Sequence, residues 1–257
     1  MNCLRSDELK GIKIAASSDI HSPKFLNLFI RSLSNVKENV DLFILCGDLI
    51  YKGRFQELKP VLDIIKRRFS ASIYACFGNE EFDEVKDELV KNYGDIVWLD
   101  DSYEILKFDD LSLGLIGSRG CLDRPTRWQL KNVPNIRDIY RRRVDKMAFL
   151  IKKLNDLCDH IILFTHYAPT YLTLRGENPR AWPELGCRRL EKIIRENPVS
   201  LVLHGHSHNS IHCFDRIDGV PVYNVSLPAN NMIITFNFPF SKVKQTRLTS
   251  FFTKFLF

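Results

Sequence analysis

Five short segments carrying metal-binding side chains each follow or close a run of apolar residues, and this arrangement constrains the fold more than any other feature of the chain. The runs are IKIAA, DLFILC, SIYACF, IILF and VSLVL, and each has the length of one buried strand. Each segment therefore places a metal-binding side chain where a strand ends. The segments are Ser18-Asp19-Ile20-His21, Cys46-Gly47-Asp48, Phe77-Gly78-Asn79-Glu80, Phe164-Thr165-His166 and His204-Gly205-His206-Ser207-His208.

The donor atoms in these segments indicate a site for two divalent metal ions. Carboxylates, an amide oxygen and imidazoles suit manganese, iron or zinc better than they suit calcium or a thiolate-type site. A single histidine on an apolar strand is usually a core residue, and a single Gly-Asp pair is usually a turn. All five segments together, in this order and at strand ends, are typical of a two-metal hydrolase.

The order and chemistry of the segments resemble the calcineurin-like metallophosphoesterase family, whose pattern runs D-x-H, G-D, G-N-H-D/E, H and G-H-x-H. The resemblance extends from Asp19 to His208, and seven positions match in order. It implies two ligand sets that share a bridging carboxylate from Asp48. The first set is Asp19, His21 and His208, and the second is Asn79, His166 and His206.

The resemblance also implies the chemistry of the site. Its cofactors would be two divalent metal ions, with manganese as the first expectation and iron, zinc, nickel or cobalt as alternatives. A shared carboxylate partly offsets the repulsion between two cations and holds them roughly 3.5–4 Å apart for in-line attack on phosphorus. Asp48, Asn79 and His166 are the expected catalytic residues, Asp48 as the bridge and the other two as ligands of the second metal ion.

Glu80 departs from the family pattern, which most often has histidine at this position. That histidine is the family's usual candidate for protonating the leaving oxygen or contacting the phosphate. A carboxylate is ionised at neutral pH, and two nearby cations favour the ionised form further, so Glu80 is a poor general acid. We predict that Glu80 supports a metal ligand or a helix N-terminus instead.

The net charge of +6 favours anionic partners without identifying one. Seven arginines lie between Gly117 and Arg143, after the apolar run LSLGLIG. Such runs are usually solvated helix faces, but insertions at this place often border the metal cleft in the family that the chain resembles. We therefore predict that Arg124 and Arg127 bind substrate by contacting a phosphate backbone.

Apolar runs and amphipathic stretches predict the secondary structure. Strands are predicted at 12–16, 41–46, 72–77, 96–99, 103–108, 111–116, 161–164, 200–203, 211–214, 221–225 and 232–238, and helices at 24–38, 54–68, 81–91, 139–157 and 188–196. These elements predict the α/β fold class, with two mixed β-sheets flanked by α-helices, which is the metallophosphoesterase-type sandwich that the resemblance implies. Residues 1–240 form the predicted catalytic domain, and residues 241–257 form a basic tail. Three further histidines are predicted to be structural: His160, His204 and His212.

The tail contains a second motif. Gln245, Leu248, Phe251 and Phe252 fit the pattern Q-x-x-[ILM]-x-x-[FY]-[FY], which resembles the PIP box that docks on a PCNA-type sliding clamp. One helical turn places the leucine and the two aromatic rings on a common side, where they can fill an apolar pocket. The alternatives are an amphipathic helix packed on its own domain and a weak membrane-surface segment.

The sequence therefore predicts a metal-dependent phosphoric ester hydrolase, most specifically a phosphodiesterase or nuclease in DNA replication or repair, with nucleic acid and a PCNA-type clamp as partners. A small-nucleotide phosphatase or phosphodiesterase with a structural tail is the first alternative, and a clamp-binding adaptor with weak or no activity is the second. The polar start, the lack of a membrane-length apolar run and the scattered cysteines predict no membrane association and a cytoplasmic location, nuclear in a eukaryote.

Overall fold

The computed structural model describes residues 11–108 and 111–239, and its strands form two mixed sheets. The strands are β1 (Ile12–Ser17), β2 (Leu42–Cys46), β3 (Ser72–Cys76), β4 (Ile96–Trp98), β5 (Ser102–Phe108), β6 (Leu111–Ser118), β7 (His160–Thr165), β8 (Leu201–His204), β9 (Phe214–Ile217), β10 (Val220–Asn224) and β11 (Ile234–Phe238). The tail motif at 245–252 lies outside the described residues, and the domain boundary at residue 240 stays a prediction.

Helices connect most of the parallel strands. The α-helices are α1 (Leu26–Ser34), α2 (Leu58–Arg68), α3 (Lys86–Asn92), α4 (Arg127–Asn132), α5 (Ile136–Asn155), α6 (Arg188–Glu196) and α7 (Leu227–Asn230), and 3-10 turns occur at Phe55–Glu57, Asp83–Val85 and Pro179–Glu184. Within the described ranges, no helix combines the length and apolar character needed to cross a bilayer.

The first sheet has the order β11-β1-β2-β3-β4, and the second has the order β5-β6-β7-β8-β10-β9. Strands β1 to β4 are parallel, as are β6, β7, β8 and β10, whereas β5, β9 and β11 pair antiparallel with their neighbours. The predicted α/β sandwich of two mixed sheets is therefore confirmed. Parallel order also means that β1, β2 and β3 end at one edge of the first sheet, and β7 and β8 at one edge of the second.

Apolar side chains fill three layers of core. Phe29 of α1 packs against Phe43 on the outer face of the first sheet, and Ile44 and Leu115 belong to the layer between the sheets. Met147 belongs to the third layer, where α5 and α6 cover the second sheet. Strands buried on both faces explain why β2 and β7 read as continuous apolar runs in the sequence.

Several predicted elements need correction. The strand predicted at 211–214 is wrong, because Ile211 is 86% exposed and β9 begins only at Phe214. The helix predicted at 24–38 is shorter, and the helices predicted from 54 and 81 open as 3-10 turns. Helix α4 was not predicted, although Thr126 and Gln129 form a capping box at its start.

Candidate metal centre

The loops that follow β1, β2, β3, β7 and β8 bring all seven predicted metal ligands together. Backbone hydrogen bonds join these loops: the Asp19 N–H donates to Gly47 O, and the Gly205 N–H donates to His166 O. Convergence of such loops at strand ends is the usual location of a site in parallel α/β sheets. Two groups of three ligand atoms result, each with its atoms within 4.8 Å of one another: Asp19, His21 and His208, and Asp48, His166 and His206.

The backbone of these ligand loops is held in an unfavourable conformation. Asp19, His21, Asp48 and His206 have φ values of 56°, 42°, 52° and 70°, in the left-handed region that residues with a Cβ rarely adopt. Each such residue costs on the order of 1–3 kcal/mol and persists only because the surrounding structure fixes it. The turns that follow β1, β2 and β8 thereby direct a polar side chain into the cluster.

Close backbone approach in the cluster requires glycine at two positions. A Cβ at Gly78 would collide with the amide nitrogen and Oδ1 of Asp48, and a Cβ at Gly205 would lie 2.7 Å from Asp19 Oδ2. Both glycines therefore let a ligand loop reach a carboxylate of the neighbouring loop.

The first group surrounds a fully buried carboxylate. Asp19 Oδ1 lies 2.9 Å from His208 Nε2 and 3.9 Å from His21 Nε2, and the two imidazole nitrogens are 3.3 Å apart. The other oxygen of Asp19 accepts hydrogen bonds from Ser18 Oγ and from the His206 N–H. Burial works to raise the pKa of Asp19, but the hydrogen bond from His208 and the nearby His166 hold it well below its usual range.

The second group contains an imidazole whose tautomer is fixed. His166 Nδ1 lies 3.0 Å from the carbonyl oxygen of Cys46, which can only accept, so Nδ1 carries hydrogen. Nε2 of the neutral ring then directs its lone pair at Asn79 Oδ1, 3.0 Å away, and at Asp48 Oδ2, 3.4 Å away. Because three electron-rich atoms face one another, a cation suits the space between them.

The pKa values of His166 and His206 indicate that the second group is a favourable place for a cation. Burial works to lower the pKa of His166, yet Asp48 raises it to about 9, so a proton satisfies the oxygens when no other cation does. Burial lowers the pKa of His206 to about 3, which keeps that ring neutral, as metal ligation requires. The donor set present in the chain therefore fits divalent metal ions.

Asp48 occupies the position expected of a bridge. Its Oδ2 lies 3.7 Å from His21 Nε2 of the first group and 3.4 Å from His166 Nε2 of the second. Its Oδ1 accepts a hydrogen bond from the Glu80 N–H at 2.7 Å, which fixes the rotation of the carboxylate. One carboxylate thus faces both groups.

A residue that the sequence analysis overlooked supports this aspartate. Glu81 is fully buried, and its carboxylate accepts hydrogen bonds from the N–H groups of Asp48, Leu49, Ile50 and Gly78 at 2.7–3.2 Å. Burial and the neighbouring Asp48 raise the pKa of Glu81 to about 7, against the opposing effect of these donors. The D/E at the end of the family's G-N-H-D/E pattern was the signal that could have identified it.

Glu80 has a different role from Glu81. Its Oε2 accepts from the Lys52 N–H at 2.6 Å, and its carbonyl accepts from the Gly53 N–H at 2.9 Å. Glu80 therefore ties the loop after β3 to the loop after β2, while its own N–H holds Asp48. These contacts agree with the predicted supporting role.

A second supporting carboxylate, also overlooked, holds the histidine-rich loop. Glu177 Oε1 accepts from Ser207 Oγ at 3.1 Å and from the Asn209 N–H at 2.8 Å. Asn209 Nδ2 donates to the other oxygen at 3.1 Å. Glu177 therefore anchors the segment at Ser207, between the ligands His206 and His208, and at Asn209, directly after them. No local sequence pattern connects Glu177 with this loop.

The remaining histidines lie apart from the cluster. His204 Nε2 is 2.8 Å from Thr173 Oγ1, and burial lowers the pKa of His204 to about 4. His160 contacts Ser200, and His212 contacts Asp215. The extended backbone assumed for the histidine cluster is wrong, because β8 ends at His204 and His206 has a positive φ.

The two arginines predicted to bind substrate differ in their surroundings. Arg124 pairs with Glu184 at 3.0 Å and donates to the Arg180 carbonyl at 2.7 Å, which ties the segment before α4 to the 3-10 turn at Pro179–Glu184. Arg127 is exposed in the first turn of α4. Across residues 11–108 and 111–239, no hydrogen bond or ion pair joins either arginine to the metal-ligand groups, and their phosphate contact stays a prediction.

Two mixed sheets with clustered carboxylates and imidazoles at converging strand ends are the features of a metal-dependent hydrolase. A family comparison makes the class specific: the model named calcineurin-like phosphoesterase matches residues 12–210. The chain belongs to the calcineurin-like phosphoesterase family, and it is a metal-dependent hydrolase of phosphoric esters. Members of this family use two metal ions, for which the two ligand groups are the candidates.

Solved structures of low sequence identity share the fold. Phosphopantetheinyl hydrolase from Mycobacterium tuberculosis is 16% identical, with a TM-score of 0.58 over 84% of this chain and 89% of that chain. A dimetal phosphatase from Danio rerio is 11% identical, with a TM-score of 0.59 over 88% and 92%. GAP50, the anchor in the inner membrane complex of Plasmodium, is 12% identical, with a TM-score of 0.56 over 85% and 72%. A search of curated proteins finds no significant match to the sequence.

Proposed function

We propose that the chain is a two-metal phosphodiesterase or nuclease that acts in DNA replication or repair and that a PCNA-type sliding clamp recruits. The observation that carries the two-metal part is the position of Asp48, whose Oδ2 faces imidazoles of both ligand groups. The nucleic-acid and clamp parts rest on the tail motif at Gln245, Leu248, Phe251 and Phe252.

The residues of the chain prepare the site for this reaction. One metal ion would be held by Asp19, His21 and His208, and the other would be held by Asn79, His166 and His206. Asp48 would contact both ions. When bound, two such ions supply Lewis-acid chemistry that polarises a phosphoester and activates water, and manganese is the ion we expect. The Cys46 carbonyl keeps His166 in the tautomer that leaves Nε2 free to ligate, and the Glu80 N–H keeps Asp48 turned towards both groups.

A cleavage assay tests the proposal. Single- and double-stranded DNA and bis-p-nitrophenyl phosphate are incubated with manganese and either the wild-type protein or Asp48→Asn. Asparagine tolerates the left-handed backbone at position 48, so the substitution removes the bridging charge while leaving the fold intact. We expect the wild type to cleave DNA and the small diester and the variant to cleave neither; cleavage by the variant would contradict the role of Asp48.

A small-substrate phosphatase or phosphodiesterase is the second candidate. Two proteins that share the fold are a phosphopantetheinyl hydrolase and a dimetal phosphatase, and neither name refers to nucleic acid. Turnover of bis-p-nitrophenyl phosphate without cleavage of DNA would favour this candidate.

The third candidate is a clamp-binding adaptor with weak or no activity. GAP50, which shares this fold, is named as an anchor and so supplies a structural precedent for an attachment role. Replacing Phe251 and Phe252 by alanine should abolish clamp binding and leave diester hydrolysis intact. Replacing Phe255 and Phe257, which lie outside the motif, is the matched control. Clamp binding without any turnover would favour the adaptor.

A further inference from the structure

Three exposed cations lie on the loops that also carry metal ligands. Lys24 follows His21 on the loop after β1, and Lys52 and Arg54 follow Asp48 on the loop after β2. We call these three residues the cationic rim. Among the residues that the structure describes, none of the three has a carboxylate within ion-pair distance, whereas Arg119, Arg124 and Arg143 are paired with Asp83, Glu184 and Asp101.

Hydrogen bonds fix the rim to the candidate metal centre. The Lys24 N–H donates to the carbonyl of His21, and the Lys52 N–H donates to the Glu80 carboxylate at 2.6 Å. The Tyr51 N–H donates to Ser22 O at 3.2 Å, which joins the two rim loops to each other. The rim is thus attached to all three ligand loops of the first sheet, and its backbone cannot move independently of them.

Aromatic rings alternate with these cations. Lys24 Nζ lies 4.8 Å from the centroid of the Phe25 ring, which in turn contacts the His21 ring at 6.1 Å. Lys52 Nζ and Arg54 Cζ lie 5.0 and 5.9 Å from the centroid of the Tyr51 ring. Both rings are partly exposed.

Proteins that bind single-stranded nucleic acid use this combination, in which cations follow the phosphate backbone and ring faces stack with bases. We propose that the cationic rim binds the phosphates flanking the scissile phosphate of a single-stranded nucleic acid, with Tyr51 as a stacking surface. The inference rests on the proposed function, since it names the substrate class of the same site. It also moves the phosphate contact from Arg124, which Glu184 already neutralises, to unpaired cations beside the metal ligands.

Binding in EDTA separates the rim from catalysis. The affinity for a fluorescein-labelled oligothymidylate is measured by anisotropy at several salt concentrations for the wild type and for Lys24→Gln/Lys52→Gln/Arg54→Gln. We expect the rim variant to bind at least about tenfold more weakly than the wild type. The slope of log affinity against log salt should become less steep by about 2, because each of the three lost phosphate contacts accounts for about 0.7 on a single strand.

The matched control removes the same charge elsewhere. Lys146, Lys153 and Arg216 are also exposed cations over aromatic rings, those of Phe149, Tyr103 and Phe214. Their triple glutamine variant should bind within about twofold of the wild type. An equal loss in both variants, or no binding by the wild type, would overturn the proposal, and equal wild-type affinity for a duplex would overturn the single-strand assignment.

The small diester shows which proposal has failed. Bis-p-nitrophenyl phosphate has no flanking phosphate, so in manganese the rim variant should lose much less of its diester hydrolysis than of its affinity for the oligonucleotide. If the wild type does not hydrolyse it, the proposed function fails, whatever the binding result. If the wild type does hydrolyse it and the rim variant keeps full affinity for the oligonucleotide, only the rim proposal fails.

Discussion

Two carboxylates hold the ligand loops, and they do so in different surroundings. Glu81 has no exposed surface and accepts four backbone N–H groups beneath Asp48. Glu177 is only partly buried and holds the loop of His206 and His208 through Ser207 and Asn209. Replacing a buried acceptor atom leaves its donors without partners, whereas water replaces a lost acceptor near the surface. Changes at Glu81, which holds the loop after β2, should therefore lower the stability of the whole fold. Changes at Glu177, which holds the loop of His206 and His208, should mainly alter how that loop presents its ligands.

The largest expected effect comes from Glu81→Gln. The amide presents its own N–H₂ group to some of the four backbone donors, and each unsatisfied buried donor costs about 1–3 kcal/mol. We expect a loss of at least about 3 kcal/mol in the free energy of unfolding, even without metal. Urea denaturation in EDTA measures it, and Glu104→Gln on the exposed face of β5 is the control. A loss equal to that of the control would show that Glu81 is not a core acceptor.

Metal removal should rank second. Ions that bind only the folded chain stabilise it by about 2.7 kcal/mol at a hundred times the dissociation constant, so EDTA should lower the Tm of the manganese-loaded protein by about 5–10 °C. Asp48→Asn is the control, because its Tm should respond much less to manganese. A wild-type Tm that is unchanged by EDTA would contradict the candidate metal centre.

Glu177→Gln should separate affinity from stability. Mutating residues that orient metal ligands typically changes the metal affinity by about 10–100-fold. A partly exposed hydrogen bond, in contrast, contributes only about 0.5–1.5 kcal/mol to folding. We expect the manganese concentration for half-maximal activity to rise about tenfold at nearly constant stability in EDTA. If Glu177→Gln destabilised the metal-free protein as much as Glu81→Gln, the contrast between the two carboxylates would be lost.

The smallest effect is expected for Glu80→Gln. Its side-chain oxygen accepts from the Lys52 N–H, which a glutamine oxygen can also do, and the bond to Asp48 comes from the Glu80 backbone. The rate of diester hydrolysis should stay within about twofold of the wild type. A loss of 100-fold or more, in the range of a general acid, would assign Glu80 a direct role in the chemistry.

The sequence predicted the features that depend on local pattern. Helix α6 spans the predicted residues 188–196, and the apolar runs predicted β2 and β7 within one or two residues. The donor residues at strand ends predicted the clustering of the ligands, because parallel strands bring their carboxyl ends together.

The supporting contacts could not be predicted in the same way. Four backbone N–H groups from two loops meet at Glu81. The D/E of the family's G-N-H-D/E pattern marks an acidic residue at this position, but it does not show which backbone N–H groups that carboxylate accepts. Glu177 lies 30 residues before Ser207, with no pattern between them. The arginines between 117 and 143 form a charge run in the sequence, yet Arg119 and Arg143 find carboxylates at Asp83 and Asp101 that only the fold brings near.

The left-handed backbone at Asp19, His21, Asp48 and His206 sets a limit on how this protein can be engineered. Glycine would relieve the conformational strain at each of these positions, by on the order of 1 kcal/mol or more per site. A laboratory selection for thermostability alone, performed without metal, should therefore place glycine at His21 and His206. At Asp19 and Asp48 a glycine would also remove a buried carboxylate that accepts hydrogen bonds, which offsets the relief. Heat resistance and the capacity to bind metal are in direct competition at these two histidines.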